Sequence, residues 1–181
     1  MNERFKVIEE MGRGVFGSVL KAEEISTGRL VAIKILRNAD IITSAGEREW
    51  SIVEKLNKSD YFDKMHILRF LDHFYHQKHL CLVAELLDLN LRDTVVLYGS
   101  RIGISLEAVK SYTYQLFRAL YHLKKNKVIH ADIKPDNIMV SRDLKKCKLI
   151  DFGNAMDISE LPNSSEIVAR YYRAPEIFLG L

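Results

Sequence analysis

The chain has 181 residues, 48% of them apolar and 28% charged, with a formal net charge of +3. That length fits one domain or two small lobes, and that apolar content excludes a disordered chain. Basic and acidic residues are interleaved, and the short lysine runs at 124–127 and 145–148 read as solvated surface, so nothing points to direct nucleic-acid binding.

From the start, residues 5–11 read as a strand, followed by a glycine cluster and a second strand at 18–24. A turn at 26–29 leads into a buried strand over 30–36, rich in Val, Ile and Leu. Residues 47–56 read as a helix, with Trp50, Val53 and Leu56 at spacings of three. Two more strands follow at 67–75 and 79–84, then helices at 90–98 and 106–125. Ser105 is the N-cap of the longer helix, and Val109, Tyr112, Leu116, Leu120 and Leu123 are its apolar stripe. After Lys125 the chain breaks into short strands and loops. The change from strand-rich to helix-rich sequence divides it into 1–87 and 88–181.

Cys81 and Cys147 lack C-x-x-C spacing and read as buried thiols in a reducing compartment. The first residues carry no apolar signal core, and no stretch approaches the roughly 18 apolar residues of a membrane span. The expectation is an intracellular protein without a membrane partner. His73, His76 and His79 lie on strand and turn segments with no cysteine nearby, and read as packing or surface histidines.

Gly12-Arg13-Gly14-Val15-Phe16-Gly17-Ser18-Val19 fits G-x-G-x-x-G-x-V, a loop whose backbone amides can approach phosphates unobstructed. A strand, not a helix, follows it, which argues against a dinucleotide-binding turn. Val31-Ala32-Ile33-Lys34 lies on the next strand. A lysine flanked by apolar residues needs a counter-charge, and Glu49 in the following helix suits that role better than Glu47 or Glu54. Farther on come His130-Ala131-Asp132-Ile133-Lys134-Pro135-Asp136-Asn137, Asp151-Phe152-Gly153 and Ala174-Pro175-Glu176.

Five motifs in this order, on these elements, make the chain similar to the eukaryotic protein kinase superfamily from residue 5 to its end. The stretch Arg170-Tyr171-Tyr172-Arg173-Ala174-Pro175-Glu176 resembles the CMGC group, which holds the cyclin-dependent, MAP, glycogen synthase and CDC-like kinases. The sequence from His130 to Asn137, and His73-Phe74-Tyr75-His76 ahead of His79, resemble the Prp4-like pre-mRNA-processing kinases within it. The resemblance implies an α+β, bilobal kinase-like fold. Its N-lobe would be β-rich and antiparallel with one key helix, its C-lobe mainly helical and truncated.

The resemblance also implies ATP and Mg2+ as cofactors and a Ser/Thr-bearing protein as substrate, with splicing proteins in the nucleus as the specific case. It makes Asp132, Lys134, Lys34 and Glu49 catalytic and Asn137 and Asp151 metal ligands. ATP would meet Met11, Gly12, Arg13, Gly14, Val15, Phe16, Gly17, Ser18, Val19, Ala32, Lys34 and Met139. Ala84 would be a small gatekeeper, and Glu85 and Leu87 would offer backbone groups to the adenine edge.

Three departures stand out. Ala131 replaces the arginine that normally grips a phosphorylated loop. Glu166 stands where relatives carry a regulatory tyrosine, with Arg170 or Arg173 placed to pair with it. The sequence stops just past Ala-Pro-Glu, where relatives continue with several helices. The competing expectation is therefore a truncated, inactive nucleotide-binding or scaffold protein.

Overall fold

Alternating apolar residues build a five-stranded antiparallel sheet from β1 (Phe5–Arg13), β2 (Gly17–Glu24), β3 (Arg29–Leu36), β4 (Phe70–His76) and β5 (His79–Glu85). Its strand order is β1-β2-β3-β5-β4. The structure, a computed structural model, describes residues 1–100, 102–160 and 170–179, without the side chains of Arg170 and Phe178.

The period of two along β3 sends Val31 and Ile33 into a cluster with Phe5, Ala22, Cys81 and Val83. The opposite face carries Leu36, Leu80 and Leu82, against which Ile42 and Trp50 pack from α1 (Asp40–Lys58). Gly46 lets that helix approach closely, because a Cβ there would strike the Leu36 side chain. The helix begins well before the expected residue 47. Its first turns, Asp-Ile-Ile-Thr-Ser-Ala-Gly, are poor helix formers, and packing of Ile42 and Gly46 overrides that propensity.

The chain divides into two compact units, residues 1–57 with 68–86 and residues 58–67 with 87–181. The first unit ends within a residue of the expected boundary at 87, while residues 58–67 group with the second. Residues 58–67 join the second unit because their polar groups are met there. Lys148 Nζ reaches both Asp63 carboxylate oxygens at 2.8 and 2.7 Å, and Leu149 donates its N–H to the His66 carbonyl at 2.9 Å. Ile67 adds a parallel bridge to Leu149, so it is not the start of β4.

The second unit holds β6 (Leu89–Asn90), α2 (Leu91–Tyr98), α3 (Leu106–Lys125), β7 (Val128–Ile129), β8 (Ile138–Val140), β9 (Cys147–Leu149), β10 (Met156–Asp157) and α4 (Pro175–Phe178). Among the described residues, β6-β8-β9 form one small sheet and β7-β10 another. Ser105 caps α3 as expected, accepting the Ala108 N–H at 3.2 Å.

The buried face of α3 differs from the expected stripe. It consists of Tyr112, Gln115, Ala119, His122 and Leu123, while Val109 and Leu120 are exposed. The helix turns this face inward because it satisfies the backbone leading into β9. Gln115 accepts the Cys147 N–H at 2.7 Å and donates to the Lys145 carbonyl at 2.9 Å, and the Tyr112 hydroxyl donates to the Leu144 carbonyl at 2.6 Å.

The β1–β2 hairpin separates two uses of glycine. A Cβ at Gly12 would meet open space, whereas at Gly17 it would run into the Ile35 carbonyl of the adjacent strand. Gly17→Ala is therefore expected to lower unfolding stability by about 1–3 kcal/mol, and Gly12→Ala to leave it nearly unchanged. Urea denaturation of both variants checks this; equal losses would contradict the distinction.

Candidate active site

In the first unit the phosphate-loop candidate is the tip of the β1–β2 hairpin. The Gly14 N–H bonds the Gly17 carbonyl at 2.8 Å, closing the tip and leaving Val15 and Phe16 exposed. Arg37, just past β3, donates its backbone N–H to the Phe16 carbonyl at 2.9 Å and its guanidinium to the Gly14 carbonyl at 3.3 Å. Met11 and Arg13 lie on the exposed strand before the tip, with Arg13 paired to Glu10.

Cross-strand register places Val19 opposite Lys34, and Ala32 opposite Ala84. Directly paired residues share a sheet face, so Val19, Ala32, Lys34 and Ala84 line one side of this sheet. Lys34 Nζ bonds both Glu49 carboxylate oxygens, at 3.0 and 2.8 Å, and Glu49 is only 4% exposed. The ammonium compensates the hydration that the buried carboxylate loses. Glu85 donates its N–H to the Arg69 carbonyl at 3.0 Å, so any backbone contact it offers a ligand is through its own carbonyl.

In the second unit the turn after β7 carries the acid–base candidate. Asp132 is 6% exposed. Lys134 Nζ and Asn137 Nδ2 both bond its Oδ2, at 2.7 and 2.8 Å, and Asn137 Nδ2 also reaches the Asp132 carbonyl at 2.8 Å. Both side-chain contacts fall on one carboxylate oxygen, which leaves Oδ1 as the oxygen able to accept a proton. The Asp132 carboxylate in turn holds the Lys134 ammonium above the ordinary lysine range.

Below this turn, His130 is 2% exposed and packs edge-on against Phe152, with ring centroids 4.7 Å apart. Its Nε2 lies 2.9 Å from the Ile150 carbonyl, and its Nδ1 accepts the Asp132 N–H at 3.2 Å. Those partners select the neutral Nε2–H tautomer. Burial lowers the imidazole pKa below its usual value. Ala131 and Asp151 both adopt left-handed backbone, at φ of 63° and 58°. Such strain costs about 1–3 kcal/mol per residue and concentrates at functional sites.

The Ile150 N–H bonds the Asn137 carbonyl at 2.9 Å, which brings the two candidate metal-ligand segments side by side. Asn137 commits its amide nitrogen to Asp132, so Oδ1 is the atom it would offer a cation. That oxygen and the Asp151 carboxylate suit a hard cation. Among the described residues, no three His, Cys, Asp or Glu side chains gather into a metal cage. Magnesium needs none, since it is held through one or two protein oxygens together with substrate phosphates.

Met139 lies on β8, paired with Lys148 and Asn90. Leu87 is half-buried in the second unit. Glu166, with Ser164 and Ser165, lies outside the described residues, as does the Arg170 side chain. Sequence reasoning missed Arg37 and Arg92, since neither stands in a recognised motif and both partner residues distant in the chain.

Residues 5–180 match the model of the protein kinase domain, and the chain belongs to that family. Among curated proteins it is 43% identical to Serine/threonine-protein kinase prp4 of Schizosaccharomyces pombe, covering 99% of this chain and 38% of that protein. It is 41% identical to Serine/threonine-protein kinase prpf4B of Dictyostelium discoideum, covering 98% of this chain and 22% of that protein. Dual specificity protein kinase YAK1 of Saccharomyces cerevisiae is 36% identical over 99% of this chain and 22% of its own length. A crystal structure of a kinase domain superposes with a TM-score of 0.91 at 29% identity, covering 99% of this chain and 59% of that one. The Prp4-like, CMGC resemblance is thereby borne out, in a chain that spans well under half the length of these curated relatives.

Protonating His130 would put a hydrogen on Nδ1 facing the Asp132 N–H and break that bond. The folded state therefore binds fewer protons than the unfolded state just below the ordinary histidine pKa. Stability is expected to fall as the pH drops through about 6.5. Nitrogen-15 NMR, assigned by comparison with His130→Asn, should show the Nε2–H tautomer at neutral pH and titration below that value. A ring titrating at or above it would contradict the assignment.

Proposed function

We propose that this chain carries the catalytic machinery of a Ser/Thr protein kinase, moving the γ-phosphoryl group of ATP to a protein hydroxyl. The observation that carries this reading is the buried Asp132 carboxylate, fixed through Oδ2 by Lys134 and Asn137 with Oδ1 left as proton acceptor. The substrate hydroxyl oxygen attacks the γ-phosphorus, the bond to the β–γ bridging oxygen breaks, and ADP departs. Asp132 orients the hydroxyl and takes its proton. Lys134, held cationic by Asp132, offsets charge on the transferring group.

Lys34, oriented by Glu49, contacts the nucleotide phosphates, and the open backbone at Gly12 and Gly14 admits them closely. Asn137 and Asp151 would hold Mg2+, which when bound would neutralise phosphate charge. On this reading Val19, Ala32 and Ala84, which share one face of the first unit's sheet, are that unit's adenine-facing residues, with Glu85 next to them, and Met139 and Leu87 are those of the second unit. The small Ala84 leaves room behind the base.

The finer reading is a nuclear kinase acting on proteins of the splicing machinery. It rests on the Prp4-like catalytic-loop sequence from His130 to Asn137 and on the similarity to kinases named prp4 and prpf4B. No helix among the described residues is long and apolar enough to cross a membrane.

Asp132→Asn is expected to lower kcat by about 10²–10⁴ and leave ATP affinity nearly unchanged, because it removes only the proton acceptor. Lys34→Met should weaken both ATP binding and transfer, since it deletes a phosphate contact and strips Glu49 of its lysine. Radiolabelled transfer and nucleotide-binding calorimetry separate the two. Equal loss of ATP affinity in both variants would overturn the roles, and a wild-type protein that binds ATP without transferring phosphate would favour the inactive scaffold.

A further inference from the structure

Arg92 sits in the first turn of α2, a helix anchored at its start by the Asn90 side chain accepting the Asp93 N–H. Its guanidinium grips Asp136 with two parallel bonds, Nε to Oδ1 at 2.7 Å and Nη2 to Oδ2 at 2.9 Å. Nη2 also donates to the Tyr172 hydroxyl at 3.0 Å. One planar fork thus gathers three segments far apart in the chain. A lysine cannot reproduce it, because a point charge does not span both carboxylate oxygens and a phenol in one plane.

Each partner matters by its position. Asp136 lies in the 3-10 turn Pro135–Asn137, and the next residue, Asn137, is the one that holds Asp132 by its side chain and its carbonyl. Tyr172 ends the 3-10 turn Arg170–Tyr172, immediately ahead of Arg173-Ala174-Pro175-Glu176. Both the Arg92 and Asp136 side chains are substantially exposed, at 52% and 39%. Exposed ion pairs add little to stability, so geometry is what this fork supplies. Arg92 also holds the Asp136 carboxyl below the usual carboxylate range, which keeps the pair charged through neutral pH.

Resting on the kinase reading, we propose that Arg92 is a positioning residue. It locks the turn that orients Asn137 and Asp132 to the segment carrying Tyr172, so that the two keep one arrangement. Arg92 touches no reacting atom. Its effect reaches Asp132 through Asp136 and Asn137.

The test uses the protein at its full natural length. Arg92→Ala should lower kcat about tenfold, with KM for ATP changed less than about twofold and melting temperature nearly unchanged. Arg92→Lys should recover only part of that rate. Tyr172→Phe should cost a smaller factor that disappears in the Arg92→Ala background, as coupled residues require. Hydrogen exchange in Arg92→Ala should quicken both at 132–137 and at 170–174. Wild-type kcat in Arg92→Ala, additive losses, or a rate loss accounted for by a lower melting temperature would each overturn the proposal. If the unmutated protein transfers no phosphate, the kinase reading falls. Exchange then decides the positioning role alone: joint quickening of both segments upholds it, and quickening of one or neither refutes it.

Discussion

A carboxylate removed from water must be compensated, and each unit of this chain is arranged around one. Glu49 in the first unit is 4% exposed and Asp132 in the second is 6% exposed. Each is met by a lysine ammonium at hydrogen-bonding distance, Lys34 in one case and Lys134 in the other. The surroundings follow from that need. The pleat of β3 sends Lys34 to the same side as Leu36, the glycine at 46 lets α1 settle against that side, and Glu49 one turn on meets the lysine. The two solutions differ in how the oxygens are shared. Lys34 occupies both oxygens of Glu49, a closed pair suited to holding a lysine still. Lys134 and Asn137 crowd onto a single oxygen of Asp132, an open arrangement suited to accepting a proton.

The open carboxylate is kept in place at a conformational cost. Ala131 has no glycine freedom, yet it adopts a left-handed backbone. That turn brings the Asp132 N–H back to the ring of His130, which lies just before it in the chain. The ring is held from the other side by the Ile150 carbonyl and by Phe152, and Asp151 between them is left-handed too. Two strained residues on either side of one buried imidazole hold each other. Relaxing either would require His130, 2% exposed, to give up a hydrogen bond in a buried setting.

Much of this was legible in the sequence wherever the signal is local. The strands β2, β3 and β5 declare themselves by apolar alternation or apolar runs, α3 by its serine cap and length, and the Lys34–Glu49 pair by the rule that a lysine among apolar residues needs a partner. What was hidden depends on partners distant in the chain. Residues 58–67 look like a continuation of the first unit until Lys148 is seen to reach Asp63. The stripe of α3 was read as hydrophobic, yet its buried face includes Gln115 and His122. The glutamine is inward because the chain entering β9 has backbone groups to satisfy, a demand that no helical period encodes.

The ion pairs Lys34–Glu49, Lys134–Asp132 and Arg92–Asp136 form a series in exposure, and that ordering separates what each contributes. Lys34–Glu49 has the most deeply buried carboxylate. In Lys134–Asp132 the side chains are 29% and 9% exposed, and in Arg92–Asp136 they are 52% and 39% exposed. Coulomb attraction strengthens as water is excluded, so each of the first two pairs binds more strongly than an exposed pair would. The third lies where water and salt screen it. What screening does not remove is direction, because the guanidinium is planar and its bonds to Asp136 are parallel. An outer contact of this kind adds little to the energy of the fold while still fixing the angle of the turn that ends at Asn137. Within the second unit the buried pair at Asp132 is the stronger contact, and the exposed fork at Asp136 contributes direction to the turn beside it.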